Sequence, residues 1–222
     1  IYQASGSNIY VVTNVVPTIT AGAAVTDTSD TDANLIYGGI AADTFNADAG
    51  NDTIYAGAGD DTINGGAGGD YIVGAAGNDS LLGNAGNDTF VTGTGDDVID
   101  GGADNDTLDY SGSAAGINVN YSNATDGNVS GSVSGSDSFT NIENIKGTTQ
   151  ADNFVASTAG NRFSVIDAGM GDDTFTGGTG SDVLDLSGLS GNYAVSFIGA
   201  GAGSINYSNY GTDIPLISYI SR

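Results

Sequence analysis

The chain has 222 residues, 27 of them acidic and three basic (Lys146, Arg162 and Arg222), for a formal charge of −24. That balance argues against nucleic acid and anionic membrane surfaces as partners, while 39% apolar residues argue against a merely disordered acidic tail. With neither Cys nor His in the sequence, disulfides, thiolate sites, the usual zinc sites and histidine acid–base catalysis are absent.

Residues 1–28 read as an N-terminal strand segment, in which YVVTNVVPTIT (10–20) gives a strand, Pro17 and a second strand. The opening IYQASGSNIYVVTNVV has no basic start and no long apolar run, so it is not expected to be a secretory signal. No segment of the chain is long and apolar enough to span a membrane as a helix.

Residues 29–109 are periodic. After a degenerate first unit (29–37), with Asn34 and Ile36 in phase, eight aspartates fall nine residues apart: Asp43, Asp52, Asp61, Asp70, Asp79, Asp88, Asp97 and Asp106. Two residues after each comes Phe45, Ile54, Ile63, Ile72, Leu81, Phe90, Ile99 or Leu108. Most of the intervening loops are Gly and Ala, as in GGAGGDYIV (65–73). Glycine admits positive φ and lets carbonyls turn inward. Aspartate supplies a short, hard anionic oxygen of the kind calcium prefers, and nonapeptides of this form are a calcium-binding β-solenoid repeat. A three-residue strand such as TIN (62–64) points its middle side chain to one face. Two repeats make one coil, and stacked coils bury a continuous apolar column.

This arithmetic predicts two ladders of aspartate. One carries Asp43, Asp61, Asp79 and Asp97, the other Asp52, Asp70, Asp88 and Asp106, with neighbours about one strand spacing apart, near 5 Å. Stacked like charges repel, so folding is expected to require a cation between them. The fifth position holds Asn51, Asp60, Asn78, Asn87, Asp96 and Asn105, as outer ligands or as turn residues.

The rhythm breaks over 110–146, a strand-rich spacer with INVNY, NVSGSVS and SFTNIENI, expected to continue the solenoid. A second, degenerate block follows over 147–188, with Asp152, Asn161, Asp173 and Asp182 in place, and 189–222 form a C-terminal strand or cap segment. DTLDYSG (106–112) matches DVLDLSG (182–188), which points to internal duplication and favours a scaffold over a compact enzyme.

GGIAADTFN, AGAGDDTIN, GGAGGDYIV and GGADNDTLD closely resemble the nonapeptides of the RTX (repeats-in-toxin) family. LDYSGSAAGINV…SFTNIENIKGT also looks like the spacer found between RTX blocks. The resemblance implies an all-β fold, a right-handed parallel β-roll with several Ca²⁺ ions between turns, flanked by short strand-rich segments. In that family one loop offers the carbonyls of its second and fourth positions and its Asp. The loop one coil later offers those of its first and third positions and its Asp. Carried over, the sets are Gly39, Ala41 and Asp43 with Ala56, Ala58 and Asp61; Asp48, Gly50 and Asp52 with Gly65, Ala67 and Asp70; and Gly57, Gly59 and Asp61 with Gly74, Ala76 and Asp79. Next come Gly66, Gly68 and Asp70 with Gly83, Ala85 and Asp88; Ala75, Gly77 and Asp79 with Thr92, Thr94 and Asp97; and Asn84, Gly86 and Asp88 with Gly101, Ala103 and Asp106. Asp152, Asp173 and Asp182 are implied as ligands of the second block, where Asn161 is a poor substitute for Asp. Asp48, Asn84 and Asp104 stand at usual glycine positions, so carbonyl ligands there require the turn to keep its shape.

The function expected is that of a calcium-dependent extracellular structural or adhesive protein: a surface-layer (S-layer), filament or adhesin segment. The alternative is the C-terminal folding and secretion module of a secreted protease, lipase or epimerase. No HExxH or GxSxG motif occurs, so no catalysis is expected from these residues. The resemblance implies type I secretion and a place outside the cell, at the bacterial surface. The apolar strands NIYVVTNVV (8–16) and IPLISYIS (214–221) predict self-association, alongside a cell-surface or matrix partner.

Overall fold

The computed structural model describes residues 33–131, 134–156 and 173–176, together with strands at 24–26, 162–163, 165–167, 183–185, 194–198, 204–206 and 216–220. Asn161, Asp182 and the expected strand at 8–16 lie outside the described residues. The described chain is all strand, with no helix among it, and divides into two units. The first comprises Ile1–Asp109 and Ser134–Ile142, the second Tyr110–Val133 and Glu143–Arg222.

The first unit opens with β1 (Ala24–Thr26), β2 (Leu35–Tyr37) and β3 (Thr44–Asn46). Six six-residue strands follow: β4 (Thr53–Ala58), β5 (Thr62–Ala67), β6 (Tyr71–Ala76), β7 (Ser80–Ala85), β8 (Thr89–Thr94) and β9 (Val98–Ala103). β10 (Thr107–Asp109) is short. The chain then supplies β11 (Ile117–Tyr121) and β12 (Gly127–Gly131) to the second unit before β13 (Gly135–Thr140) completes the first.

Odd and even strands form separate parallel sheets, one running β1-β3-β5-β7-β9-β13 and the other β2-β4-β6-β8-β10. The register is one coil of eighteen residues: Ile63 pairs with Leu81, and Leu81 with Ile99. This is a parallel β-solenoid of about four turns. It follows from the nine-residue period, because each strand can bury its eighth-position side chain only against a neighbouring coil. Ile36, Ile54, Ile72, Phe90 and Leu108 form one buried column, and Phe45, Ile63, Leu81, Ile99 and Phe139 the other. Each such burial is worth roughly 1.5–3 kcal/mol. On the outer face, Tyr37 and Tyr55 stack at 5.1 Å from one coil to the next, adding an aromatic pair to the ladder.

The strands are longer than the three residues expected, because the first glycines of each turn continue the parallel pairing. Gly57 pairs with Ala75, and Gly66 with Asn84. Backbone angles then alternate. Second and fourth loop positions take positive φ, as at Gly66 (112°) and Gly68 (127°). Asp48, Ala75, Asn84 and Asp104 keep that turn at φ of 64°, 76°, 79° and 84°, in the left-handed region that L-residues tolerate.

In the second unit, β11 pairs antiparallel with β12 and parallel with β15 (Asn153–Ala156), which aligns Val129, Val119 and Phe154, all buried. β14 (Asn144–Lys146) pairs with β17 (Val165–Asp167), and β15 with β18 (Thr174–Thr176). β16 (Arg162–Phe163), β19 (Val183–Asp185) and β21 (Ser204–Asn206) form a parallel sheet, and β20 (Ala194–Ile198) pairs with β22 (Leu216–Ile220). The segment SFTNIENI, expected as one strand, is split. β13 ends at Thr140, Asn141 turns the chain at φ 53°, and β14 starts at Asn144.

Gly66→Ala is expected to cost at least about 2 kcal/mol, because φ is 112° and the new Cβ would run into the Asp48 carbonyl. Ala75→Gly, at φ 76°, should change stability by less than about 1 kcal/mol. Urea unfolding of both variants in calcium measures the contrast.

Candidate metal centre

Each ladder aspartate sits at the end of a glycine turn, just before a strand, and all eight are at most 2% exposed. Their environment is uniform along each stack. Asp61 Oδ1 accepts the Asp43 amide at 2.7 Å, Asp79 that of Asp61 at 2.8 Å, and Asp97 that of Asp79 at 2.8 Å. On the opposite edge Asp52 accepts from the Asn34 amide at 2.7 Å. Asp70, Asp88 and Asp106 accept from Asp52, Asp70 and Asp88, each at 2.8 Å. The two ladders of the nine-residue arithmetic are therefore real, and one oxygen of each carboxylate from Asp52 to Asp106 is tied to the coil before it.

The other oxygen carries the chemistry. At Asp61, Asp70, Asp79, Asp88 and Asp97 the buried Oδ2 has no hydrogen-bond partner. First-position glycines make room for it: a Cβ at Gly65, Gly74, Gly83 or Gly101 would collide with Oδ2 of the aspartate in its own loop. A dry, unsatisfied carboxylate oxygen costs free energy unless something cationic meets it. Burial is the largest cause that pushes these carboxyls up, to about 6 at Asp61 and Asp70 and about 7 at Asp88 and Asp97; Asp79 is raised as well. The amide donated from the preceding aspartate lowers each, and neighbouring carboxylates raise them again.

Backbone oxygens line the same gaps. The carbonyls of Gly39, Asp48, Gly50, Gly59, Gly68, Ala75, Gly77 and Asn84 face the glycine one coil later so closely that a Cβ there would strike them. The third-position carbonyls of Ala67, Ala76, Ala85 and Thr94 accept the amides of Gly50, Gly59, Gly68 and Gly77 at 2.7–2.9 Å. No three acidic side chains gather at one point among the described residues, so a cation here would meet at most two carboxylates and otherwise carbonyls. Such an all-oxygen set suits calcium and not a thiolate or imidazole metal.

Some residues behave differently from the interior pattern. The loop 38–43 lacks the positive φ of its successors, and Gly39 donates its own amide to Asp43 Oδ2 at 2.9 Å. Asp152 Oδ1 accepts from the Ile117 amide at 2.8 Å and the Thr148 hydroxyl at 2.9 Å, and its Oδ2 accepts from the Thr148 amide at 2.7 Å. Asp173 Oδ1 accepts the Asp152 amide at 2.9 Å. Thr92 is buried, whereas Thr94 is exposed.

The fifth-position residues face outward. Asn51, Asp60, Asn78 and Asn87 accept the amides of Gly69, Asn78, Asp96 and Asn105 at 2.8–2.9 Å, one coil later. They form a second, external hydrogen-bond ladder. Asp137, absent from the nine-residue phase, joins the inner ladder: its Oδ1 accepts the Asp97 amide at 3.1 Å. Its sequence signal is the D-x-Φ triplet with Phe139, displaced from the period by the inserted segment.

Parallel coils, buried carboxylates with a spare oxygen and inward carbonyls define a repeat solenoid whose loops suit a hard cation. The family model of the RTX calcium-binding nonapeptide repeat matches residues 29–54, 37–72, 46–81, 82–112 and 146–184, more than half of the chain. The chain belongs to that family, whose repeats bind calcium. No curated protein sequence matches it.

Two outcomes test the site. The raised carboxyls bind protons more tightly in the fold than at their ordinary 3.8. Proton uptake therefore stabilises the calcium-free fold below about pH 4, and that support is lost as pH rises through 6–7. Chelated protein should gain strand signal in circular dichroism on acidification from pH 8 to pH 4, and calcium affinity should weaken below about pH 7. Separately, Asp70→Asn should lose more bound calcium than Asp43→Asn, since Asp70 has an unpartnered oxygen and Asp43 is served by Gly39; equilibrium dialysis at fixed calcium reads the difference.

Proposed function

We propose that this chain is a calcium-dependent structural or adhesive protein of the cell exterior, a surface-layer, filament or adhesin segment whose roll forms as calcium enters its loops. The observation that carries the reading is the run of buried, unpartnered Oδ2 atoms at Asp61, Asp70, Asp79, Asp88 and Asp97. In this reading the ions lie between successive loops, held by the paired sets from Gly39 to Asp106 named above. Two carboxylates and four carbonyls per gap give about six oxygens, the lower end of calcium's range. The ion, when bound, neutralises stacked carboxylates and cross-links the loops, while the chain's own columns of Ile, Leu and Phe hold the coils in register.

Millimolar calcium outside the cell would fill such sites and sub-micromolar cytosolic calcium would not, which supports a secreted location, as is typical of RTX repeat proteins. A scaffold role is supported by composition: repeats and strands account for the described residues, and neither His nor Cys is present. Assembly is supported by β22, which pairs with β20 through a stretch without charge. Bound calcium would also remove much of the −24 charge that keeps copies apart.

Exhaustive chelation is expected to abolish most strand signal in circular dichroism, and unchanged strand content would refute the reading. Light scattering and electron microscopy at millimolar calcium are expected to show extended assemblies that shrink when residues 1–16 are deleted. A strictly monomeric roll indifferent to that deletion would instead favour the folding module of a secreted enzyme.

A further inference from the structure

The first unit takes its last strand from beyond the excursion 110–133, and that strand places a carboxylate at the head of a ladder. Asp137 is 1% exposed, as is Asp97. β13 lies on β9 with Phe139 opposite Ile99, a separation of forty residues in place of eighteen. The junction nevertheless repeats the interior geometry. Ser138 donates its amide to the Asp97 carbonyl at 2.8 Å, as Val98 does to Asp79, and Gly95 donates to Ser134 at 3.2 Å, as Gly77 does to Thr94 at 2.9 Å. Gly135 has φ 89° and faces the Gly95 carbonyl too closely for a Cβ.

One further observation points to a ligand in this gap, and a second shows how the gap is held. Asp97 Oδ2 is buried and has no hydrogen-bond partner. Thr92 replaces the first-position glycine, and its buried hydroxyl donates to Asp137 Oδ2 at 3.2 Å, fixing the orientation of that carboxylate.

We propose that Asp97 and Asp137 hold a divalent cation of the calcium class between loops 92–97 and 134–137, with the Gly95 carbonyl turned into the same gap and Thr92 as a positioning residue. This rests on reading calcium as the ion of the roll, and goes beyond it in assigning a site outside the nine-residue phase. Such an ion ties the loop that leads into β9 to the residues that lead into β13, across a join of forty residues in place of eighteen. An unliganded pair of buried carboxylates side by side would repel there.

The test uses the whole chain and Asp137→Asn. The amide keeps an oxygen for the Asp97 amide, turns its NH2 toward the Thr92 hydroxyl oxygen, which can accept, and loses the charge. Calcium counted by atomic emission after equilibrium dialysis is expected to fall by one ion per chain, with the strand signal at millimolar calcium retained. An unchanged count in a folded variant overturns the proposal and leaves the other sites standing, whereas a wild-type chain that binds no calcium refutes the roll reading itself. Should the variant not fold, hydrogen exchange on the wild type decides. Across a calcium titration the amides of Gly95 and Asp97 should gain protection together with those of Gly77 and Asp79; exchange that stays fast at Gly95 and Asp97 once Gly77 and Asp79 are protected overturns the site and leaves the roll reading standing.

Discussion

A carboxylate held by one oxygen and left bare at the other is the constraint on which this structure depends. Asp Oδ1 accepts the amide of the aspartate one coil back, which fixes the coil spacing. That bond carries Oδ2 out of water, where it has no hydrogen-bond partner along the interior of both ladders. Everything nearby accommodates this arrangement. First-position glycines leave space beside Oδ2, second- and fourth-position residues turn at positive φ, and the eighth-position side chain fills the interior. Apolar columns and desolvated charge thus oppose each other within each coil.

At other positions of the same motif the protein supplies hydrogen-bond donors to both carboxylate oxygens or to Oδ2. Thr148 gives Asp152 both its amide and its hydroxyl, and Ile117 adds a third donor. Asp43 is served by Gly39 in the same spirit. Carboxylates in one phase therefore divide into those whose bonding is completed within the protein and those that leave an oxygen available, a division that residue identity alone does not reveal.

Much of the roll was legible from spacing. The two aspartate ladders, the two apolar columns and the eighteen-residue register follow from a period of nine and alternation along a strand. The RTX resemblance rests on the same residues. Asp137 was not legible, because it lies 31 residues beyond Asp106, not a multiple of nine, and its role is set by strand pairing rather than phase. Asn51, Asn78 and Asn87 resembled turn residues or outer ligands, yet their carboxamides accept amides from the next coil. Nothing in a one-dimensional pattern states which neighbour a side chain faces. Asp48, Asn84 and Asp104 left the turn in doubt, and their positive φ settles it: short polar side chains tolerate the left-handed region where larger or branched ones would not.

The inner and outer ladders point in opposite senses. Inner aspartates accept amides from the coil before, outer Asn and Asp from the coil after. One face of a coil thus offers hydrogen-bonding groups complementary to those of its other face and not to a copy of itself. A stack built this way has a head and a tail. Any copy that extended it would join heterologously, so growth would be open-ended and directional rather than closed into a symmetric pair.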